Sequence, residues 1–511
     1  MDTPLNFLRN WLPLGSLGLR EDGNEGRQAL NDWLESMVDA PPEEVVTALA
    51  QRLGPMVSAQ GNQHMRIRLL DAFDEISHGL LPTLEHDIET AQLPLSPQAK
   101  AKALATDNLL KGLASGYINA IASIESRHMA TGLVPLLQHA VQHAIIALRR
   151  RQLLAYRAHA TPSASSWQQL HDLYRTAQRL ELLGAAKDGQ PLEQLYFSTL
   201  LIAYADPGKF SRTELKLLLE CAEIGAGLLR IRPPEALRDA RPETPLFVVA
   251  PNDDSPGKPL IRSRSVGVTG YLYLDATNLA ATIRSDIGAK TRLDIPRAWL
   301  LPKASLTVLR TLAAMWGAQP TRRFSRMRFK PRADVVVGML DVSLFLAGGA
   351  FLRRRDDSGR RTPSGPAVSE WAMVDESPDG FGIRYLKGDI GSIEVGDIIG
   401  IRPRESSQVQ ICLVRRVSNA GQTQLEIGLQ NLSPNALVVD LPGSNGVARR
   451  KAILLPRLPA YNNAAGLISA PDSVPDGLEI LYPTGGVKVR LKLAQRVESN
   501  TRNDFHLMLP G

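Results

Sequence analysis

The segment WAMVDESPDGFGIRY (residues 371–385) has the pattern of two short β-strands joined by a tight turn. Apolar residues cluster at 371–374 and again at 381–385, and the residues between them include proline, aspartate and glycine, which favour turns. We expect Gly380 to adopt a backbone angle that larger residues avoid. The segment therefore predicts a β-hairpin whose turn carries an acid, a hydroxyl and a glycine.

The flanking residues continue this β pattern. Further strands are predicted at 333–339, 397–402, 409–417 and 422–432, and in the last of these Leu425, Ile427 and Leu429 alternate with polar residues. Short antiparallel strands with glycine turns predict a six-stranded barrel over residues 321–436. The segment RRRDDSGRRTPSGP (353–366) has the composition of an exposed loop or insertion.

The rest of the chain divides into three further regions. Residues 1–235 carry apolar residues at helical spacing, residues 236–320 form a small mixed α/β module and linker, and residues 437–511 continue as a second β module. The predicted fold is therefore a multidomain α+β protein with an N-terminal α-helical bundle or solenoid-like region followed by two β modules. Helices are predicted near 27–38, 42–54, 62–79, 97–127, 132–158, 166–183, 190–205, 212–229 and 302–316, and strands in the mixed module at 246–250 and 271–274.

The composition is that of an ordinary folded protein. Of the residues, 44% are hydrophobic and 22% are charged. A length of 511 residues corresponds to about three or four domains. Cys221 and Cys412 have no CxxC or Cys/His spacing around them, which argues against a disulfide framework or a zinc site. This use of cysteine, and the lack of an apolar stretch of about 18 residues, predict a cytoplasmic protein without a membrane span.

The positive charge is concentrated in one region. Residues 321–361 contain eleven basic and four acidic residues, a difference of +7 that equals the net charge of the whole chain. A local positive field on an otherwise neutral protein favours a compact anionic partner. A solvated arginine loop is the alternative explanation of the same charges.

Two short motifs lie on either side of the first strands of the predicted barrel. Residues 322–326 read RRFSR, an RxxxR motif, and residues 375–380 read DESPDG, a DxSxxG motif. With the six-strand pattern and the closing segment IGLQNL (427–432), they resemble the PilZ domain, a bacterial β-barrel family that binds the second messenger cyclic di-GMP. The resemblance covers about residues 321–434.

The resemblance implies a ligand site for cyclic di-GMP. Guanidinium groups form paired hydrogen bonds with phosphate and with guanine O6 and N7. A carboxylate accepts hydrogen bonds from guanine N1–H and N2–H, and a hydroxyl donates or accepts. The arginines would therefore contact phosphate and guanine, and the acid and the serine would hold the guanine face. The implied ligand-binding residues are Arg322, Arg323, Arg326, Asp375, Ser377 and Gly380.

The chain departs from the family pattern in two places. About 48 residues separate Arg326 from Asp375, more than is usual, and the arginine segment 353–361 lies between them. This insertion either adds phosphate contacts or blocks the site. Asp379 occupies a position where a small residue is common, which places a second carboxylate near a dianionic ligand.

Signatures of catalysis and of metal binding are missing from the sequence. No GGDEF or HD-GYP motif occurs, and the EAL tripeptide at 235–237 lacks the downstream carboxylates of a phosphodiesterase. His139 and His143 stand four apart on a predicted helix, but no third ligand accompanies them in sequence, which favours two surface histidines. We therefore predict no enzymatic activity, no catalytic residue, no metal and no cofactor other than the ligand.

The leading functional prediction is a non-enzymatic cyclic di-GMP receptor. Ligand binding would order the arginine segment and change the domain arrangement about a hinge near 318–322. The protein partner is unidentified, and the family implies motility, attachment or polysaccharide secretion machinery. One alternative is a ligand-free PilZ-like scaffold or chaperone-like protein that works through the N-terminal helices. A nucleic-acid binder is disfavoured, because only Phe324 and Phe329 interleave with the arginines.

Overall fold

The structure is a computed structural model of the 511-residue chain, in which the chain forms two compact units. The first contains most of the residues up to 320, and the second contains residues 321–511 with two short segments from the first part of the chain. The structure describes residues 24–58, 63–125, 133–184, 190–237, 244–262, 267–292, 305–317, 331–348, 365–406, 408–419, 425–441, 450–458, 461–475, 477–484, 487–499 and 502–511.

The first unit begins with a stack of helices, as the apolar spacing predicts. The helices are α1 (Asn24–Ser36), α2 (Pro42–Ser58), α3 (Gln63–Thr90), α4 (Pro97–Glu125), α5 (Val134–Arg157), α6 (Ala164–Arg179), α7 (Leu192–Tyr204) and α8 (Arg212–Ala226). Ser96 caps α4, because its Oγ accepts a hydrogen bond of 3.1 Å from the amide of Ala99. Within the ranges described, no helix is both long and apolar enough to cross a bilayer.

Helix α3 is longer than the sequence predicts. The predicted helix ends at residue 79, whereas α3 continues to Thr90 with Pro82 inside it. An interior proline removes one backbone hydrogen bond, but buried side chains on both sides of it, among them Leu81 and Leu84, hold the segment against its neighbours. Tertiary packing thus outweighs the local helix-breaking signal.

A small four-stranded sheet completes the first unit. Its strands are β1 (Arg230–Arg232), β2 (Leu246–Val249), β3 (Lys258–Pro259) and β4 (Leu272–Asp275), in the order β1-β4-β2-β3. Two helices follow, α9 (Thr277–Arg292) and α10 (Leu306–Trp316), of which the sequence predicted only the second. Phe247 of β2 stacks on Tyr204 of α7 with ring centroids 4.0 Å apart, so the sheet packs on the helices.

The second unit contains the predicted barrel, closed by six antiparallel strands. These are β5 (Arg332–Val337), β6 (Ser369–Ser377), β7 (Gly380–Gly388), β8 (Ile398–Pro403), β9 (Gln410–Asn419) and β10 (Leu425–Ser433). Their order around the barrel is β10-β7-β6-β5-β8-β9, and β9 pairs with β10. Alternate residues face the interior, and Trp371, Ile383 and Ile427 are almost completely buried.

One element of the barrel differs from the prediction. The first strand was predicted to reach Met339, but β5 ends at Val337 and Met339 begins a nine-residue helix, α11 (Met339–Ala347). Gly338 lies between them with φ 87°, which ends the extended backbone. The segment is mostly apolar, interrupted by Asp341 and Ser343, and its apolar residues give no periodicity that separates strand from helix.

A six-stranded sheet forms the C-terminal β module. Its strands are β11 (Leu437–Leu441), β12 (Arg450–Leu458), β13 (Ala464–Ser469), β14 (Glu479–Thr484), β15 (Val487–Ser499) and β16 (Asp504–Pro510), in the order β11-β12-β13-β16-β15-β14. One hydrophobic core includes Phe345 from α11 and Ile411 from the barrel with Ile453 and Phe505 from this sheet. The predicted multidomain α+β fold is confirmed, and the exact boundaries between its four regions stay predictions.

Candidate functional site

The predicted hairpin is formed by β6 and β7, which are joined by only two residues, Pro378 and Asp379. Ser377 pairs with Gly380 across the turn, and Ser377 Oγ donates a hydrogen bond of 3.3 Å to the carbonyl oxygen of Gly380. The amide of Asn431 on β10 donates to the carbonyl oxygen of Asp379 at 2.9 Å. The turn is therefore held at its own base and by the neighbouring strand.

Gly380 is required by the close approach of β10. Its φ is 157°, and a Cβ at this position would lie 1.9 Å from the carbonyl oxygen of Leu429. No other residue type fits such a contact without moving one of the strands. The structure thus agrees with the backbone role that the sequence predicts for this glycine.

A β-bulge decides where the Asp375 side chain points. Met373 pairs with Ile383 and Asp375 pairs with Gly382, so Val374 is an extra residue on β6. In a regular strand, Asp375 would lie on the same face as Met373, whose side chain is buried in the barrel. The bulge reverses this alternation, and the carboxylate lies half-buried on the outer face of the barrel, as does Ser377 two residues later.

Two glycines lie in register with this carboxylate on the neighbouring strands. Asp375, Gly382, Gly428 and Arg416 follow one another across strands β6, β7, β10 and β9, and we call these four residues the glycine row. A Cβ on Gly382 would lie 2.5 Å from Asp375 Oδ1, and one on Gly428 would lie 3.3 Å from Arg416 Cβ. The row therefore has an acid at one end and a guanidinium at the other, with no side chain on the two residues between them.

A cluster of basic residues surrounds one acid nearby on the barrel. Glu370 receives Arg332 Nη1 at 2.6 Å and Arg404 Nη2 at 2.9 Å, and Lys387 Nζ lies 3.9 Å away. Burial alone would raise the pKa of Glu370, but these cations outweigh it and lower the pKa. Three cations around one carboxylate leave an excess of positive charge at the end of the hairpin strands away from the turn.

The structure describes three of the six site residues that the sequence predicts. Asp375, Ser377 and Gly380 lie together in the β6–β7 hairpin, with the first two on one face. Arg322, Arg323 and Arg326, like the arginine segment 353–361, lie outside the described residues. The assignment of all six to ligand binding stays a prediction.

Of the glycine row, the sequence predicted Asp375 but not Gly382, Gly428 or Arg416. The signal was present, because Gly382 and Gly428 stand inside strand patterns, where glycine commonly marks a bulge or a close approach of another group. Arg416 had no such signal, since it joins the row only through the pairing of β9 with β10.

The comparison with known families decides the identity of the barrel. A family model described as the middle PilZ domain of the cyclic-di-GMP receptor FimW matches residues 246–362 and 353–437. The barrel region therefore matches a PilZ domain. A second model, described as the N-terminal domain of the cyclic-di-GMP receptor FimW, matches residues 28–235.

A relative that aligns with most of the chain carries the same receptor name as the two family models. The protein named cyclic-di-GMP receptor FimW, from Pseudomonas aeruginosa, is 21% identical over 543 residues, which cover 91% of this chain and 88% of the relative. The PilZ match begins at residue 246, where β2 starts, and extends to 437, where β11 starts. The hairpin and the whole glycine row lie within the PilZ match.

Proposed function

We propose that this chain is a receptor for cyclic di-GMP, bound on the outer face of the PilZ barrel. The observation that carries the proposal is the bulge at Val374, which brings Asp375 and Ser377 to one face beside Gly382 and Gly428. Two comparisons support the same ligand. The barrel matches the PilZ domain model, and the relative from Pseudomonas aeruginosa is named a cyclic-di-GMP receptor.

The residues of the hairpin suit a guanine base. Asp375 can accept hydrogen bonds from guanine N1–H and N2–H, and the Ser377 hydroxyl can donate or accept. Gly428, with only Arg416 Cβ close to its missing side chain, leaves room for the flat face of a base or sugar, and the Asp375 carboxylate lies over Gly382. Arg416 at the far end of the row can stack on a purine or pair with phosphate.

Pro331, five residues after the RxxxR motif, lies beside this hairpin. The amide of Met373 donates to the carbonyl oxygen of Pro331 at 3.0 Å, so the segment that ends at Pro331 enters the barrel beside the bulge. Arg326 precedes Pro331 by five residues, and five residues span at most about 18 Å. We propose that Arg322 and Arg326, with Arg323 as a helper, pair with the phosphates and stack on guanine.

Calorimetry of the full chain with cyclic di-GMP tests this proposal. We expect saturable binding by the wild type, and at least about tenfold weaker binding by Asp375→Asn and by Arg322→Ala/Arg326→Ala, because each removes charge-assisted contacts. Asp440→Asn, an exposed acid on β11, is the matched control and should bind like the wild type. Absence of heat from the wild type at about 100 μM ligand would contradict the proposal.

We further propose that binding changes the domain arrangement and the contact with a protein partner, without catalysis, in the cytoplasm. Partners captured from a cell extract with immobilised wild type, with and without cyclic di-GMP, test this step. We expect the amount of captured partner from the motility, attachment or polysaccharide secretion machinery to change with ligand, and not to change for Arg322→Ala/Arg326→Ala. The same partners in the same amounts under both conditions would favour the ligand-independent scaffold.

A further inference from the structure

The helical unit contains a compact group of metal-ligating side chains far from the barrel in sequence. His139 and His143 lie one turn apart on α5, and the centroids of their rings are 4.2 Å apart. Asp71 on α3 approaches them, with Oδ1 2.9 Å from His139 Nε2. One ligand atom from each of the three residues lies within 4.8 Å of the others. The fold thus supplies the third ligand that the sequence lacked.

We propose that Asp71, His139 and His143 form a binding site for a divalent transition-metal ion of the Zn²⁺ type. Two imidazole nitrogens and a carboxylate oxygen are ligands that Zn²⁺ prefers in proteins. In a tetrahedral site with bonds of 2.0–2.2 Å, ligand atoms lie about 3.4 Å apart. The observed spacing therefore requires only small side-chain shifts around an ion.

The candidate ligands are oriented by partners behind them. The hydroxyl of Tyr117 on α4 donates a hydrogen bond of 2.7 Å to Asp71 Oδ1. Asp74 Oδ2 lies 2.8 Å from His143 Nδ1, and Asp74 is 8% exposed. Because a carboxylate only accepts, this contact in the neutral imidazole requires the proton on Nδ1 and leaves the lone pair of Nε2 for an ion. Carboxylates that orient metal-binding histidines in this way are a common feature of zinc sites.

The site is open enough to exchange an ion with solvent. The side chains of Asp71 and His139 are 36% and 40% exposed, and that of His143 is 25% exposed. Three protein ligands on one side leave a fourth position for water. A bound ion would join α3 to α5, and Tyr117 would connect it to α4.

At the other end of the α3–α5 pair, arginines instead of histidines contact the acidic side chain. There α3 and α5 are joined by arginine pairs, with Arg150 and Arg157 both contacting Glu85. Arginine keeps its charge at all relevant pH values and serves a plain ion pair better than histidine does. Histidines at only one end of this contact therefore favour a ligand role over simple charge pairing.

Binding of Zn²⁺ and Co²⁺ to the full chain, stripped of metal with a chelator, tests the site. We expect one ion per chain by calorimetry, a visible Co²⁺ absorption band, and a higher melting temperature with Zn²⁺. His139→Gln/His143→Gln should bind at least about 100-fold more weakly, and Asp74→Asn, which acts through His143, about tenfold more weakly. His86→Gln, an exposed histidine on α3, is the matched control and should bind like the wild type.

The proposal does not depend on the proposed cyclic di-GMP site. If the double variant fails to fold, as judged by circular dichroism, Asp71→Asn provides the same comparison and should lose the Co²⁺ band. No uptake of either ion by the wild type at about 100 μM metal would overturn the proposal. Equal affinity of the wild type and the folded ligand variants would also overturn it.

Discussion

Gly380 is the residue on which the geometry of the hairpin depends most directly. A methyl group there would lie 1.9 Å from the carbonyl oxygen of Leu429, and both atoms belong to or adjoin the backbone. Neither can rotate away, so Gly380→Ala must separate β7 from β10 or distort the turn. We expect the substitution to lower the free energy of unfolding by about 2–3 kcal/mol, measured by urea denaturation.

A second glycine of the same sheet provides the control. The nearest neighbour of a Cβ on Gly428 is the Cβ of Arg416 at 3.3 Å, and a shift of a few tenths of an ångström relieves that contact. Gly428→Ala should therefore change the free energy of unfolding by less than about 1 kcal/mol. Equal effects of the two substitutions would show that the contact with Leu429 does not constrain the turn.

At the scale of elements, periodicity predicted most of the fold. Helices α4 and α5 begin and end within two residues of the predicted limits, because their buried residues recur at helical spacing. Helix α11 was not predicted, since its apolar residues show no period. Helix α3 continues through Pro82 because its contacts with other helices, which local sequence does not record, outweigh the proline.

The site shows the same division between local and tertiary information. Asp375, Ser377 and Gly380 are close in sequence, so a motif was enough to place them in one turn. The bulge at Val374 was not predicted, because it is defined by the partner strand rather than by the residues of β6. Asp71 is separated from His139 by 68 residues, and only the packing of α3 against α5 reveals their contact.

At the scale of the second unit, the barrel and the C-terminal sheet are joined by an ion pair as well as by their shared core. Asp397, just before β8, is 2% exposed. Its Oδ2 accepts hydrogen bonds from the amide of Glu394 at 2.8 Å and from Arg502 Nη1 at 3.1 Å. Burial and the nearby Glu394 carboxylate raise the pKa of Asp397, whereas the Arg502 charge lowers it. The raising effects are larger, and the pKa is about 6.

This raised pKa makes the second unit less stable as the pH rises. The carboxyl group has a pKa of 3.8 when unperturbed, so between pH 3.8 and about 6 the folded chain holds a proton that the unfolded chain has lost. The resulting stabilisation is complete below pH 3.8 and disappears as the pH rises through about 6. From about pH 4.5 to about pH 7, the loss amounts to about 2 kcal/mol.

Asp397→Asn isolates this contribution, because asparagine keeps the shape and one acceptor oxygen but does not titrate. Over that pH interval, we expect the free energy of unfolding of the wild type to fall by about 2 kcal/mol more than that of the variant, measured by denaturant titration at each pH. Asp440→Asn, which changes an exposed acid on β11, should follow the wild type. Parallel pH dependence of the wild type and Asp397→Asn would mean that the Arg502 charge fully offsets the burial of this carboxylate, and that the junction of barrel and sheet is not sensitive to pH.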